Sequence, residues 1–222
     1  MYKNKLPDEL IRKMESGREY RRMAVPLTIR AEGDENGMEV EGYATTFNQV
    51  YELFRDGNYI VQEMVDPNAF EKCDMADVIM QYDHMGRVFA RNKNNTLDCE
   101  PDEHGLHVLA RLGGTDLGRQ VYQEIRGGYS DKMSFGFTVE ESKREVTENI
   151  ETGKIIVLRT IMMFRKLYDV SVVSIPANDT TEIYARSAVG GGTGWAMQEL
   201  HAYEERRRKQ KLLELKLKLM EV

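Results

Sequence analysis

Short runs of alternating apolar and polar residues dominate the chain, and they are broken by turn residues at intervals typical of strands rather than helices. Residues 27–29 and 38–47 alternate on either side of Asp34-Glu35-Asn36-Gly37, which predicts a hairpin. Residues 60–64 read as a strand. Residues 77–83, apolar on both faces, predict a central strand with His84 at its end. Residues 87–91 and 96–100 suggest a strand pair around Asn94-Asn95, and 106–112 a strand after the His104-Gly105 turn. Further strands are expected over 133–140, 155–163 and 167–175, with a charged loop after the first of them.

Helical spacing is rarer. Leu10, Ile11 and Met14 behind Pro7 and Asp8 predict an amphipathic helix over residues 6–23, ended by Pro26. Asp66-Pro67 has the form of a helix start. Thr115 or Asp116 can cap a helix to about residue 126, with Leu117, Val121 and Ile125 on one face and Gly127-Gly128 as its stop. After Arg186 the composition changes. Residues 187–194 form a glycine-rich linker, and 195–222 a charged helix whose stripes, Leu212, Leu215, Leu219 and Leu213, Leu217, Met220, suit docking or oligomerisation.

Composition narrows the function classes. The 222 residues suffice for one domain with appendages, and 41% are hydrophobic. A net charge of −6 disfavours nucleic acid as the main partner, although Arg206-Arg207-Arg208-Lys209 is locally basic. No stretch has the length and apolarity of a membrane span, and residues 1–20 lack the apolar core of a secretory signal, so a cytosolic protein with Cys73 and Cys99 as free thiols is expected.

The candidate chemistry centres on Met133-Ser134-Phe135-Gly136-Phe137. With period two, Met133, Phe135 and Phe137 share one face, and Ser134 and Gly136 the other. Ser134 is thus expected to face away from the core, with Gly136 leaving room for close approach. A serine nucleophile needs a base and a group that fixes the base's tautomer. Of the four histidines, His84 at a strand end is the strongest base. Asp169, a carboxylate within the apolar run 167–173, needs a partner, either His84 or a basic side chain such as Arg165. No metal or organic cofactor is implied: His104, His107 and Cys99 match no known ligand spacing, and no phosphate-binding glycine motif occurs.

Taken in order, Gly42-Tyr43-Ala44 with Phe47, Asp83-His84 before Gly86-Arg87, Gly105-Leu106-His107-Val108, the Ser134 segment, and Asp169-Val170-Ser171 through Pro176-Ala177-Asn178 resemble the prohead proteases of tailed bacteriophages. These capsid-maturation serine proteases are similar in fold to herpesvirus assemblin. The resemblance covers residues 27–186 and implies a β-barrel core with flanking helices, so that with the N-terminal helical arm (1–26) and the appended C-terminal helix read above the expected fold is α+β and β-rich. It implies Ser134 as nucleophile, His84 as base and Asp169 as third member, with Arg165-Lys166 as the counterpart of the arginine pair whose backbone forms the oxyanion hole in the herpesvirus branch. The implied partners are the major capsid protein and scaffold as substrates, with the chain cutting itself and a homo-oligomer open through the barrel helices or the C-terminal helix. The implied place is the assembling procapsid in the host cytoplasm. A non-catalytic assembly protein of the same fold, and a protease fused to its scaffold, are the alternatives.

Overall fold

A computed structural model of the chain describes residue 12 and residues 16–30, 38–173 and 194–220. Two sheets carry the fold. In the larger, β1 (Glu19–Pro26), β10 (Lys132–Glu148), β11 (Ile155–Val173), β5 (Tyr59–Val65) and β4 (Tyr51–Asp56) lie side by side, and β6 (Ile79–Tyr82) joins β11 and carries β7 (Met85–Arg91). The smaller runs β2 (Thr28–Ile29), β3 (Glu39–Thr46), β9 (Gly105–Arg111), β8 (Leu97–Pro101). Among the described residues the ladders do not close into a ring. The fold is therefore α+β and β-rich, as expected, but an open pair of sheets stands where a barrel core was expected.

The core follows from the alternation. Met133, Phe135, Phe137, Phe164, Leu167 and Val170 of the large sheet are buried against Val40, Leu97, Leu106 and Val108 of the small one. Phe135 and Phe137 stack at 4.7 Å between centroids, and Phe164 meets Phe137 edge-on at 4.9 Å, geometries that add to the area they remove from water. One helix, α1 (Asp116–Arg126), lies beside β2 and β7. Thr115 caps it, its hydroxyl accepting from the Gly118 N–H at 2.9 Å, as the sequence predicts.

Four expectations are corrected. The end of the helix expected over residues 6–23 is instead a strand from Glu19, because this stretch pairs with β10 in the register Arg22 opposite Ser134; residues 1–11 and 13–15 lie outside the described part. The charged segment after residue 140 is no loop: β10 runs on to Glu148 beside a single strand β11, and β-branched partners hold it, Val146 opposite Val157 and Thr147 opposite Ile156. Strands β7 and β8 do not pair with each other but belong to different sheets. Asp66-Pro67 opens successive i to i+3 turns instead of a helix. The Asp34–Gly37 turn, Pro176-Ala177-Asn178 and the linker up to residue 193 fall outside the described residues.

The C-terminal helix, α2 (Gly194–Met220), is less detached than a linker suggests. Its first turns bury Trp195, Ala196 and Leu200 against Leu53, Phe54, Val61, Ile155 and Val157, a second apolar cluster. Leu212, Leu213, Leu215, Leu217 and Leu219 further along stand exposed.

Candidate active site

Period two places the site. On β10, Ser134 and Gly136 share a face; on β11, Asp169 and Ser171 share one, and the register sets Ser134 opposite Ser171 and Gly136 opposite Asp169. The third strand to reach this spot is β6, parallel to β11 with Ile79 beside Asp169 and Tyr82 beside Val172. At its end Asp83 and His84 form a two-residue hairpin into β7, with Tyr82 opposite Met85. Both have positive φ, 47° and 62°. Such a turn suits Asn-Gly, and two side chains there carry local strain of the kind found at functional sites. The turn is pinned by the Asp83 N–H to the Val172 carbonyl at 2.9 Å and by the Gln81 amide to the Gly86 carbonyl at 2.9 Å.

The outcome is a chain of three side chains. His84 Nε2 lies 2.7 Å from Ser134 Oγ, and His84 Nδ1 2.5 Å from Asp169 Oδ1. Ser171 Oγ donates to the same carboxylate oxygen at 2.9 Å. A carboxylate only accepts, so Nδ1 carries the proton and Nε2 presents its lone pair to the serine hydroxyl. Gly136 makes room for this. A Cβ there would sit 2.5 Å from Asp169 Oδ2 and 2.7 Å from Tyr20 Cε1, so only glycine lets the carboxylate and that ring approach.

Ser134 is not solvent-facing as the alternation alone suggests. It is 4% exposed, His84 5% and Asp169 1%. Strand β1 lies over it: the Ser134 hydroxyl is 2.9 Å from the Arg21 carbonyl oxygen, and the Tyr20 ring packs on the His84 ring at 4.4 Å. The Arg21 side chain turns to the opposite face, towards Phe137, and enters a buried ion cluster. It holds Glu63 through two nitrogens at 2.6 and 2.9 Å and Glu19 at 2.7 Å; Arg159 grips Glu19 at 2.7 and 3.0 Å and reaches Glu63 at 3.2 Å, and the Tyr51 hydroxyl donates to Glu63 at 2.6 Å. Burial by itself would raise the Glu63 carboxyl, but the Arg21 and Arg159 guanidiniums outweigh it and hold it below the usual carboxylate range. None of this cluster was foreseen. Glu63 and Arg159 stood as single charges inside apolar strands, which is the signal that could have flagged them.

The other expected residues lie elsewhere. Arg165 pairs with Glu140 at 2.5 Å and is exposed, and Lys166 pairs with Asp74 at 2.6 Å and is half-buried. Lys166 is opposite Thr138, four strand residues or about 13 Å from Ser134. Oxyanion donors must lie within about 3 Å of the reacting oxygen, so this separation speaks against the role expected for Arg165 and Lys166. His104 and His107 flank Tyr43 on the small sheet. Among the described residues no cluster of metal-binding side chains occurs, and no helix is long and apolar enough to cross a membrane. An open groove beside the His84 turn is lined by Tyr82, Met85, Gly86, Arg87, Phe89 and Leu117.

A hydroxyl, an imidazole and a carboxylate in hydrogen-bonded series form the arrangement on which serine hydrolases rely. The sequence comparison agrees with that class. Residues 26–190 match the model of the caudovirus prohead serine proteases, and the chain belongs to this family. It is thus a serine peptidase family member, of the kind that acts on capsid or scaffold proteins during capsid maturation. No curated protein and no solved structure gives a significant match to the chain.

Proposed function

We propose that Ser134, His84 and Asp169 are the catalytic residues of this prohead protease, with Ser134 as nucleophile. The observation that carries this is the pair of distances, 2.7 Å from Ser134 Oγ to His84 Nε2 and 2.5 Å from His84 Nδ1 to Asp169. As Oγ attacks the scissile carbonyl carbon, its proton passes to Nε2 and the Oγ–C bond forms. Asp169, steadied by Ser171, stabilises the imidazolium. The tetrahedral intermediate collapses, the C–N bond breaks, and the imidazolium protonates the departing amine. Water then repeats the sequence through the same base and releases the new carboxyl terminus. Backbone N–H groups, rather than Arg165 or Lys166, take the role of oxyanion donors.

The substrates in this reading are scaffold or the scaffolding segment of the major capsid protein, together with the protease chain itself, inside a procapsid assembling in the host cytoplasm. The exposed leucines of α2 offer a route to a homo-oligomer or to docking during incorporation. Co-expression with the cognate major capsid protein, followed by mass-spectrometric mapping of new N-termini, tests the assignment. Wild type yields processed capsid protein and Ser134→Ala yields none. Intact processing by Ser134→Ala would favour a non-catalytic assembly role.

A further inference from the structure

Ser134 lies on a strand whose two sides are both taken, by β11 and by β1. Strand β11 cannot leave, because it carries Asp169 and Ser171 and pairs with both β5 and β6. Strand β1 can. Among the described residues it is the edge strand of its sheet, and it lies almost entirely outside the part shared with the family, which begins at residue 26. Any peptide brought to Ser134 as an extended strand must therefore come to the place where β1 now lies.

Three features of β1 are those of a bound peptide. Its Arg21 carbonyl oxygen accepts from the Ser134 hydroxyl at 2.9 Å, so the Arg21–Arg22 peptide unit lies beside the nucleophile, held by its oxygen rather than presenting its carbon for attack. The Tyr20 ring lies against the His84 imidazole. Arg21 itself is anchored in a deep acidic site, Glu63 being wholly buried and already supported by Tyr51 and Arg159. The hydroxyl proton, moreover, faces two acceptors, the Arg21 carbonyl and His84 Nε2, and can serve only one at a time.

On these grounds we infer that β1 is a resident pseudosubstrate: it blocks the site by occupying the substrate strand's place along β10, and the Glu63 site that holds Arg21 is the subsite for an arginine of the incoming peptide. The inference rests on Ser134 being the nucleophile. Activation then consists of exchanging β1 for a substrate strand. The fraction of molecules with β1 displaced scales the apparent activity. Once β1 has left, Glu63 keeps Arg159 and Tyr51 as partners, so the empty subsite is not an isolated buried charge.

The test uses the full-length chain. A fluorophosphonate is to label Ser134 in Arg21→Met roughly tenfold or more faster than in wild type. The peptide Glu-Tyr-Arg-Arg-Met-Ala-Val-Pro, copied from β1, is to slow that labelling again, whereas the same peptide with alanine as its third residue is not. Equal labelling rates in a folded Arg21→Met would overturn the inference. Because that variant can fail to fold, hydrogen exchange on wild type gives a second reading. A peptidyl phosphonate with arginine next to the phosphorus is to modify Ser134 and strip protection from the amides of β1; modification with β1 protection unchanged would also overturn it. Should Ser134→Ala process capsid protein normally, the catalytic assignment fails first; should it abolish processing while Arg21→Met changes nothing, only the pseudosubstrate fails.

Discussion

At the scale of single residues, the site depends on one absent side chain as much as on the three present. In Gly136→Ala the added methyl collides with Asp169 Oδ2 and the Tyr20 ring, so the carboxylate must swing off His84. Turnover is expected to fall roughly 10²-fold, in the range attributed to a misplaced general base, while the melting transition stays cooperative. Steady-state kinetics beside a calorimetric scan checks both. Asp169→Asn is expected to lower kcat by about 10²–10⁴-fold with little change in KM, because the amide no longer fixes the tautomer with Nε2 free. The three side chains that meet were legible as candidates in the sequence: Ser134 from its alternating strand, His84 from its strand end, Asp169 from its polarity among apolar neighbours. Ser171 and Tyr20 were not, since their importance lies in what folds against them. The thiols are quiet by contrast. Burial pushes Cys99 up to about 12, so alkylation of native protein at pH 8 is expected to be slow until denaturant is added.

Among the elements, β1 departs furthest from what the sequence suggests. Leu10, Ile11 and Met14 set a helical rhythm that does not reach Glu19, where the decisive interactions are Arg21 with Glu63 and Glu19 with Arg159, 42 and 140 residues apart in sequence. Local pattern cannot report such partners. Removing one charge from this cluster leaves another buried and unmatched, so Glu63→Gln is expected to cost about 3–5 kcal/mol in denaturant unfolding. Its pH dependence has a definite sign. Glu63 is held below its unfolded value of about 4.3, so its contribution is complete above that pH and is lost as pH falls through the lower folded value. Wild type is therefore expected to lose stability below about pH 4 more steeply than Glu63→Gln. The strand pair β10 and β11 shows the reverse lesson. Its charged outer half was read as a loop because Glu, Lys and Arg dominate residues 140–145, yet cross-strand pairing to Leu158, Val157 and Ile156 holds it extended.

For the whole molecule, β-richness was legible, whereas sheet closure was not, since alternation specifies faces and not whether a sheet returns on itself. The small and large sheets enclose one core and leave the His84 turn at its rim, where three strands from distant parts of the chain deliver one side chain each. Helix α2 has two parts. Truncation before Trp195 uncovers Leu53, Phe54 and Ile155 and is expected to lower stability by several kcal/mol, about what burying a few large apolar side chains contributes. Among the described side chains, truncation after Arg208 removes only exposed ones and is expected to leave the melting temperature nearly unchanged while abolishing any association in size-exclusion chromatography. The claim that joins these scales is that Ser134 is a nucleophile activated by His84. Prolonged fluorophosphonate treatment of the wild-type chain, with the adduct located by peptide mass spectrometry, tests it most directly: the account predicts a single adduct on Ser134 that is lost in His84→Ala, and an adduct on another serine, or one on Ser134 indifferent to His84, would contradict it.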